Sequence, residues 1–370
     1  MSSYPLPTGD LRALGFSQKP LDHLDALIRG HIAAGRYPGA QIALARNGKL
    51  ALFRTYGHAK ADDGGKIPAT DDTLFLLYSQ TKVITSSALW TLVEEGKVSF
   101  MDKVSDHLPE FAARGKGDIT LQEVMTHRGG FPSQGVSEAT WADHAKMRAE
   151  VCDFFLEWTP GTRLQYHGQA AHLVQAMVIE AVTGQDYRDV IRTRITEPLG
   201  LANDVFVGVP AGQQHRCADT YGREPRENMA AFRAAGLPSG GGYATARGMV
   251  ALYQMLGHGG KLNDVRLFSP RLLAYVARNH TAEMPDHNMT MIPMHRGLGP
   301  HVRGESDRIR GLGTIGALGT FGHGGVGSSY SWADPSSGVS FTYLTNTVSP
   351  DPWHSMRLDR VSNLVHAAID

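Results

Sequence analysis

Hydrophobic residues recur with a helical period near the start of the chain and then change to strand-like runs. Apolar side chains fall every three or four positions over residues 21–32, which predicts an amphipathic helix that ends at Gly35. The runs 39–46 and 50–56 that follow flank Asn47-Gly48, a dipeptide typical of a two-residue hairpin turn. The sequence therefore predicts a helix followed by the first two strands of an antiparallel sheet.

The end of the chain shows the same kinds of element in the reverse order. Residues 323–332 and 338–345 are strand-like, and the turn sequence at 334–337 joins them. Apolar residues spaced three or four apart between 356 and 368 then predict a terminal amphipathic helix. Strands at both ends of a chain pair most simply in one sheet, and we expect the two terminal helices to cover it.

The middle of the chain is mostly helical and loop-like, with helical patterns over 169–183, 187–195 and 246–256 and from Pro270. We therefore predict an α+β fold in which a helical lobe is inserted into an antiparallel sheet. The sheet lobe would comprise residues 1–75 and 236–370, and the helical lobe residues 76–235. A ligand cleft is expected between the two lobes.

The stretch 73–93 is apolar on nearly all sides, and Lys82 is its only charged residue. Such a pattern predicts a buried helix, in which a lone ammonium needs a partner or a lowered pKa. Ser79 lies three positions earlier, on the same helical face and at the helix start, where free backbone N–H groups favour developing negative charge. A hydroxyl beside a desolvated amine can become a nucleophile, although a serine and a lysine at this spacing also occur by chance.

Composition and charge narrow the possible functions. The 370 residues are 42% hydrophobic, and 36 basic residues balance 36 acidic ones, so neither a nucleic acid nor a membrane is expected as a partner. Cys152 and Cys217 provide no disulfide framework, and the 17 histidines lack metal-binding spacing, so neither a metal nor a cofactor is predicted. A signal peptide and a transmembrane run are not visible, so we expect a cytoplasmic location. The oligomeric state stays open.

Other motifs have structural interpretations. Residues 311–316 fit the glycine pattern of dinucleotide-binding loops, but they precede a strand and are predicted to form an ordinary loop. His127 is interpreted as a structural hydrogen-bonding residue. Four methionines of one irregular segment are predicted to fill space under a loop, with an adaptable acyl pocket as the alternative; they are Met284, Met289, Met291 and Met294.

Several segments in a fixed order resemble the class C β-lactamase fold family, and especially its branch of family VIII carboxylesterases. These segments are 76–111, 119–132, 160–184 and 321–346. The resemblance covers nearly the whole chain and implies the fold of β-lactamases and penicillin-binding proteins. It implies that Ser79 is the nucleophile, that Lys82 is its lysine, and that Tyr166 faces both across the cleft.

The resemblance also assigns the sheet edge of the site. His323, Gly324 and Gly325 occupy the place of the family's Lys-Thr-Gly motif and would contact the substrate. The backbone N–H of Val326 would complete an oxyanion hole with that of Ser79. Trp158 and Phe131, on loops beside the presumed cleft, are expected to form a wall of the substrate site.

Two departures from the family pattern bear on the substrate. Gly168 stands where β-lactamases of this class carry an asparagine that binds the lactam side-chain amide. His323 replaces the lysine that would meet a β-lactam carboxylate, and a histidine carries little charge at neutral pH. Both changes weaken β-lactam hydrolysis and favour the esterase branch.

The expected function is a serine hydrolase that cleaves short to medium carboxylic esters through an acyl-enzyme. A Lys82 ammonium close to Tyr166 would lower the pKa of the phenol, so either group could take the serine proton. The alternatives are a β-lactamase, a D-amino-acid peptidase or an acyltransferase with the same residues. A non-catalytic scaffold or ligand sensor is the alternative from another class.

Overall fold

An antiparallel sheet of seven strands is the framework of the structure, a computed structural model that describes residues 5–62, 65–223, 225–289, 291–306 and 311–370. The strands in chain order are β1 (Gly39–Arg46), β2 (Lys49–Asp62), β3 (Gly65–Pro68), β4 (Phe75–Leu76), β5 (Val205–Val207), β6 (Gly242–Ala244), β7 (Lys261–Leu262), β8 (Val265–Arg266), β9 (His301–Val302), β10 (Phe321–Gly324), β11 (Tyr330–Asp334) and β12 (Val339–Thr345). The sheet order is β3-β2-β1-β12-β11-β10-β9, so strands from the two ends of the chain pair at its centre. The prediction of one sheet built from both ends is confirmed.

The predicted hairpin at the start of the sheet is also confirmed. β1 and β2 pair in antiparallel register around Asn47 and Gly48, whose φ angles are 51° and 76°. Two consecutive positive φ angles suit the right-handed twist of a hairpin, and asparagine and glycine adopt them with little strain.

Helices cover both faces of this sheet. They are α1 (Gln18–Ala33), α2 (Thr81–Glu94), α3 (Val104–His107), α4 (Leu121–Met125), α5 (His144–Cys152), α6 (Ala170–Thr183), α7 (Tyr187–Ile191), α8 (Ala230–Ala235), α9 (Ala246–Gly257), α10 (Pro270–Val276) and α11 (Trp353–His366). Side chains of β1 alternate between the faces: Ile42 and Leu44 pack with α1 and α11, whereas Ala43 and Ala45 belong to the core that contains α9. The terminal helices thus cover one face, as predicted.

The helical part of the chain packs around α2 and α6. Ala43 of the sheet, Val83 of α2 and Met177 of α6 belong to one continuous hydrophobic core, which joins the sheet to the helical part. The division into lobes at residues 75/76 and 235/236 stays a prediction.

A three-stranded sheet, in the order β4-β6-β5, was not predicted. It crosses the expected lobe boundary, because β5 lies in the predicted helical lobe and β6 in the sheet lobe. The N–H of Leu77 donates to the carbonyl of Gly242 over 2.8 Å, which brings the glycine run 240–242 against the start of α2.

The prediction of one strand over 323–332 is wrong. β10 ends at Gly324 and β11 begins at Tyr330, and the two pair as a hairpin. The turn between them contains Gly327 with a φ of 60°, a conformation that favours glycine. The glycines and serines of 324–329 do not show this reversal in the hydrophobic pattern, because the turn lacks charged or long polar residues.

Residues 311–316 form turns before β10, as predicted. Within the described parts of the chain, no helix has both the length and the hydrophobicity that crossing a membrane requires. The cytoplasmic location stays a prediction.

Candidate active site

Ser79 lies in a short 3-10 turn, Tyr78–Gln80, directly before α2. Every residue of α2 from Thr81 to Leu92 is buried, which confirms the buried helix predicted from the apolar stretch. Tyr78 has a φ of 47°, a strained value for a residue with a side chain. Its hydroxyl donates to the buried Glu227 carboxylate over 2.5 Å, a contact that holds the residue before the serine in place.

Gln80 fixes the other side of the serine to the sheet. Its Nε2 donates to Ser329 Oγ over 2.7 Å, and its Oε1 accepts from Ser331 Oγ over 2.5 Å. Both serines belong to the β10–β11 hairpin, so Ser79 is held at the sheet edge by a buried side chain next to it.

Lys82 is completely buried and has three polar neighbours. Its Nζ donates to the carbonyl oxygens of Gly168 and Ser239 over 2.8 and 2.7 Å and lies 3.1 Å from Ser79 Oγ. Burial, with a smaller effect of the nearby Arg296 charge, lowers the pKa of Lys82 to about 7. A large part of the lysine is therefore the neutral amine at neutral pH.

Tyr166 lies beside this lysine, with its ring centroid 5.1 Å from Lys82 Nζ. Burial raises the pKa of Tyr166 to about 12, although a hydrogen bond with Ser79 and the charge of Arg296 act in the opposite direction. The expectation that this pKa would be lowered is wrong, because desolvation of the phenol outweighs the nearby positive charges. Tyr166 is thus a phenol at neutral pH.

A group of buried histidines lies behind the tyrosine. His127 Nδ1 accepts from the backbone N–H of His167 over 3.1 Å, and the His127 ring is 4.6 Å from that of Tyr166. Burial, reinforced by Arg296, holds the pKa of His127 well below its usual value, and burial lowers that of His167 to about 4. His127 thus makes a buried hydrogen bond, as expected, and its purely structural role stays a prediction.

The sheet edge opposite α2 carries His323, Gly324, Gly325 and Val326. His323 is almost entirely buried, its Nδ1 lies 2.9 Å from the carbonyl oxygen of Gly324, and its ring is 4.0 Å from that of His301. A Cβ at position 325 would stand 2.6 Å from the carbonyl oxygen of Leu77. A side chain there would force a shift, so glycine allows the end of β10 to approach the segment just before Ser79.

Ser79 lies between two cavities that share Tyr166 and Val326 as lining residues. One, the sheet-side cavity, has a volume of about 260 Å³ and is lined further by Met289, Met294, His301, His323, Tyr330 and Leu358. The other, the loop-side cavity, has a volume of about 310 Å³ and is lined further by Trp141, Gly168, Arg226, Glu227, Phe232 and Leu237. A bound molecule could extend in both directions from the serine.

Two predicted wall residues lie elsewhere. Phe131 has no exposed surface and packs against Phe111, Phe154 and His167, so it is a core residue and cannot contact a substrate. Trp158 is half-buried beside His167 and lines neither cavity. Both were assigned from loop position alone, which does not show the direction of a side chain.

The methionine-rich segment gives a mixed outcome. Met289 and Met294 line the sheet-side cavity, which agrees with the acyl-pocket alternative, whereas Met291 is exposed. Arg296 and His301 also line this cavity and were not singled out from the sequence. They belong to irregular segments and a two-residue strand, which carry no periodic signal.

One group of described residues has the spacing of metal ligands, away from both cavities. His144 Nδ1 lies 2.6 Å from Glu180 Oε1, and Arg188 Nη2 lies 2.5 Å from Asp186 Oδ2. His144 Nδ1, Glu180 Oε1 and Asp186 Oδ2 are thus already engaged in ion-pair and hydrogen-bond contacts.

The antiparallel sheet, the helices on its two faces and the serine at the start of a buried helix define the fold of β-lactamases and penicillin-binding proteins. A family model described as "Beta-lactamase" matches residues 24–364. The chain therefore belongs to the β-lactamase family, a family of serine hydrolases with esterase and carboxypeptidase-like members.

Similar proteins agree with this assignment. The chain is 24% identical to "Esterase/beta-lactamase LipL" of Mycobacterium tuberculosis over 94% of its own length and 86% of that protein. The structure of a penicillin-binding protein homologue from Caulobacter crescentus is 25% identical, with a TM-score of 0.81 over 94% of this chain and 97% of the other. The structure of a family VIII carboxylesterase is 26% identical, with a TM-score of 0.79 over 93% and 97%.

Proposed function

We propose that this protein hydrolyses short to medium carboxylic esters through an acyl-enzyme on Ser79. The observation that carries the proposal is the set of contacts around Lys82 Nζ: two carbonyl oxygens and one hydroxyl. A neutral amine has two N–H donors and one lone pair. The two carbonyls use both donors, so the lone pair faces the Ser79 hydroxyl and can accept its proton.

Acylation then follows from this arrangement. The Ser79 oxygen attacks the ester carbonyl carbon while its proton moves to Lys82 Nζ. The backbone N–H groups of Ser79 and Val326 stabilise the resulting oxyanion, a contribution of about 3–4 kcal/mol for each donor in comparable sites. When the tetrahedral intermediate breaks down, the alcohol leaves with a proton that returns from Lys82 through the Tyr166 hydroxyl.

Deacylation uses the same groups in reverse. Water gives a proton to the Tyr166–Lys82 pair, attacks the acyl carbon, and releases the carboxylic acid as the serine regains its proton. Each step transfers a proton between groups of this chain and the substrate. The proposed reaction uses no cofactor.

The two cavities support the size of the proposed substrate. Volumes of about 260 and 310 Å³ on either side of Ser79 suit small acyl and alcohol groups. Methionine side chains in the sheet-side cavity adapt to chains of different shape. The similar proteins include one named an esterase/beta-lactamase and a family VIII carboxylesterase, which favours this substrate class.

A β-lactamase or a D-amino-acid peptidase would use the same serine and lysine. Gly168 gives no side-chain amide to the loop-side cavity, and His323 places a buried imidazole where the family's lysine would stand. An ester needs neither group, because its leaving alcohol requires little recognition.

The proposal is tested by a fluorophosphonate probe and by three substrates. Intact-mass measurement should show one adduct on the native chain and none on Ser79→Ala. Ser87→Ala is the matched control, because Ser87 lies on α2 with its hydroxyl bonded to the Val83 carbonyl over 2.8 Å. This variant should be labelled like the native chain.

Native protein should turn over p-nitrophenyl butyrate faster than nitrocefin or a D-Ala-D-Ala peptide. Faster turnover of nitrocefin or of the peptide would overturn the ester assignment. Product analysis with an added alcohol would reveal an acyltransferase. An unlabelled native chain would favour a non-catalytic scaffold.

A further inference from the structure

A buried ion pair lies directly beside the tyrosine of the site. Arg296 is 2% exposed and Asp286 is completely buried, and Arg296 Nη2 lies 2.5 Å from Asp286 Oδ2. Because the desolvation of two charges can exceed their attraction, a buried pair of this kind is weak evidence for stability. Its position calls for a functional explanation.

The guanidinium of Arg296 lies over the Tyr166 ring, with Cζ 4.9 Å from the ring centroid. Its Nε and Nη1 are buried and have no hydrogen-bond partner among the described residues. The electron-rich face of a tyrosine attracts such a cation. Asp286 therefore pairs with Nη2 of Arg296, and the rest of the guanidinium contacts the Tyr166 ring.

Asp286 is tied to the backbone that carries the tyrosine. Residues 164 and 286 form a β-bridge, and the N–H of His287 donates to the Leu164 carbonyl over 3.0 Å. The Asn288 side chain donates to the carbonyl of Tyr166 itself over 3.1 Å. Asp286 Oδ1 also accepts from the Asn288 backbone over 2.9 Å. The ion pair thus connects the ring of Tyr166 to the segment that holds its main chain.

The charge of Arg296 also acts on Lys82. The titratable and charged groups around the Lys82–Tyr166 pair include Arg296, Asp286 and four histidines, which are His127, His172, His301 and His323. Burial keeps the pKa of His127 and His172 well below the usual value, so both are neutral. Arg296 supplies the fixed positive charge that, after burial, lowers the pKa of Lys82.

We propose that Arg296, held by Asp286, is a positioning residue of this site: its planar head fixes the Tyr166 ring, and its positive charge lies against the same ring as Lys82 Nζ. This inference rests on the proposed function, since it assigns Lys82 and Tyr166 to proton transfer. It predicts a change in pH dependence that a structural role would not produce.

The test follows the rate of Ser79 phosphonylation and kcat/KM for p-nitrophenyl butyrate against pH. The double variant Arg296→Met/Asp286→Asn removes the pair without leaving a lone buried charge. Loss of the positive charge favours protonated Lys82, so the acid limb of both profiles should shift to higher pH by about one unit. Asp286→Asn alone removes the negative charge that offsets Arg296, so the acid limb should shift to lower pH.

Arg296→Lys separates charge from shape. The charge is kept, so the acid limb should stay in place, whereas the plateau rate should fall severalfold because the planar contact with Tyr166 is lost. Arg192→Met/Asp189→Asn is the matched control. This pair is exposed, with an N–O distance of 3.0 Å, and its removal should change neither limb nor plateau.

Thermal unfolding shows which variants fold. If the double variant does not fold, two other results still decide the matter: the acid limb of Asp286→Asn should move to lower pH, and Arg296→Lys should keep the native limb with a lower plateau. An acid limb that is the same in every folded variant overturns the inference. An unlabelled native chain instead overturns the proposed function, so the two failures are distinguishable.

Discussion

Two lysines are fully buried among the described residues, and their surroundings differ in one respect. Lys82 at the start of α2 and Lys116 after the 3-10 segment Pro109–Gly115 are both completely inaccessible. Lys116 Nζ donates to three carbonyl oxygens, those of Ala113, Cys152 and Phe154, over 2.8, 3.0 and 2.6 Å. Lys82 has two carbonyls, and the hydroxyl of Ser79 takes the third place.

This difference explains why the proposed mechanism uses Lys82, and not Lys116, as the base. An ammonium has three N–H donors and no acceptor, so three carbonyls satisfy Lys116 only in its charged form. Two carbonyls and a hydroxyl satisfy Lys82 equally well as a neutral amine. Burial lowers the pKa of both lysines, but only the partners of Lys82 leave the lone pair of a neutral amine facing a hydroxyl, that of Ser79.

The most severe test of the comparison replaces each lysine by methionine, which has a similar length and no charge. Lys82→Met should lower kcat/KM for p-nitrophenyl butyrate by about 10³-fold, within the range for loss of a general base. Lys116→Met should leave the rate per folded molecule unchanged. Both variants leave buried carbonyls without donors and should lose about 1–3 kcal/mol of unfolding free energy, as measured by denaturant titration.

Equal losses of activity in the two variants would contradict the assignment of Lys82 as the base. Rates must be compared at equal concentrations of folded protein, because both variants are less stable. The rate of labelling by the phosphonate probe compares the reactivity of Ser79 in the two variants without a substrate.

Sequence patterns alone predicted the helix that carries Lys82 and the position of Ser79 beside it. An apolar stretch with one charged residue predicted α2, helical spacing placed Ser79 beside Lys82, and Asn47-Gly48 predicted the first hairpin. These features depend on residues within one or two turns of each other. Local spacing therefore shows them directly.

The surroundings of Lys116 and of Tyr166 could not be predicted in this way. Lys116 lies in a short run of charged and glycine residues that is typical of an exposed loop, yet carbonyls from the end of α5 enclose it. Arg296 and Asp286 belong to an irregular segment, and their partner Tyr166 is more than a hundred positions earlier. Phe131 was placed in the cleft because a loop position does not show which way a ring packs.

A smaller effect is expected from pH. With a Lys82 pKa of about 7, the amine is lost as pH falls, so kcat/KM should fall tenfold for each pH unit well below 7. With a Tyr166 pKa of about 12, the phenol persists, so the alkaline side should stay flat to about pH 10. A fall in rate between pH 8 and pH 10 would show that Lys82 or Tyr166 titrates differently, and Lys116→Met should not alter the profile.

The smallest effect concerns Gly168, whose carbonyl is one of the two acceptors of Lys82. A Cβ at this position would meet no atom within 4 Å, and its φ is not in the left-handed region, so side chains fit there. Gly168→Asn keeps the carbonyl and adds an amide to the loop-side cavity. The ester rate should change little, whereas the ratio of nitrocefin to ester turnover should rise about fivefold, as expected for one added hydrogen bond.

Gly168→Ala is the control, since it keeps the carbonyl and adds only a methyl group. A large loss of esterase activity in both variants would show that any side chain at 168 displaces the carbonyl from Lys82. In that case the two-carbonyl arrangement itself, and not the missing asparagine, would explain why glycine occupies this position. An unchanged ratio in Gly168→Asn with full esterase activity would instead show that the amide side of a β-lactam does not enter the loop-side cavity.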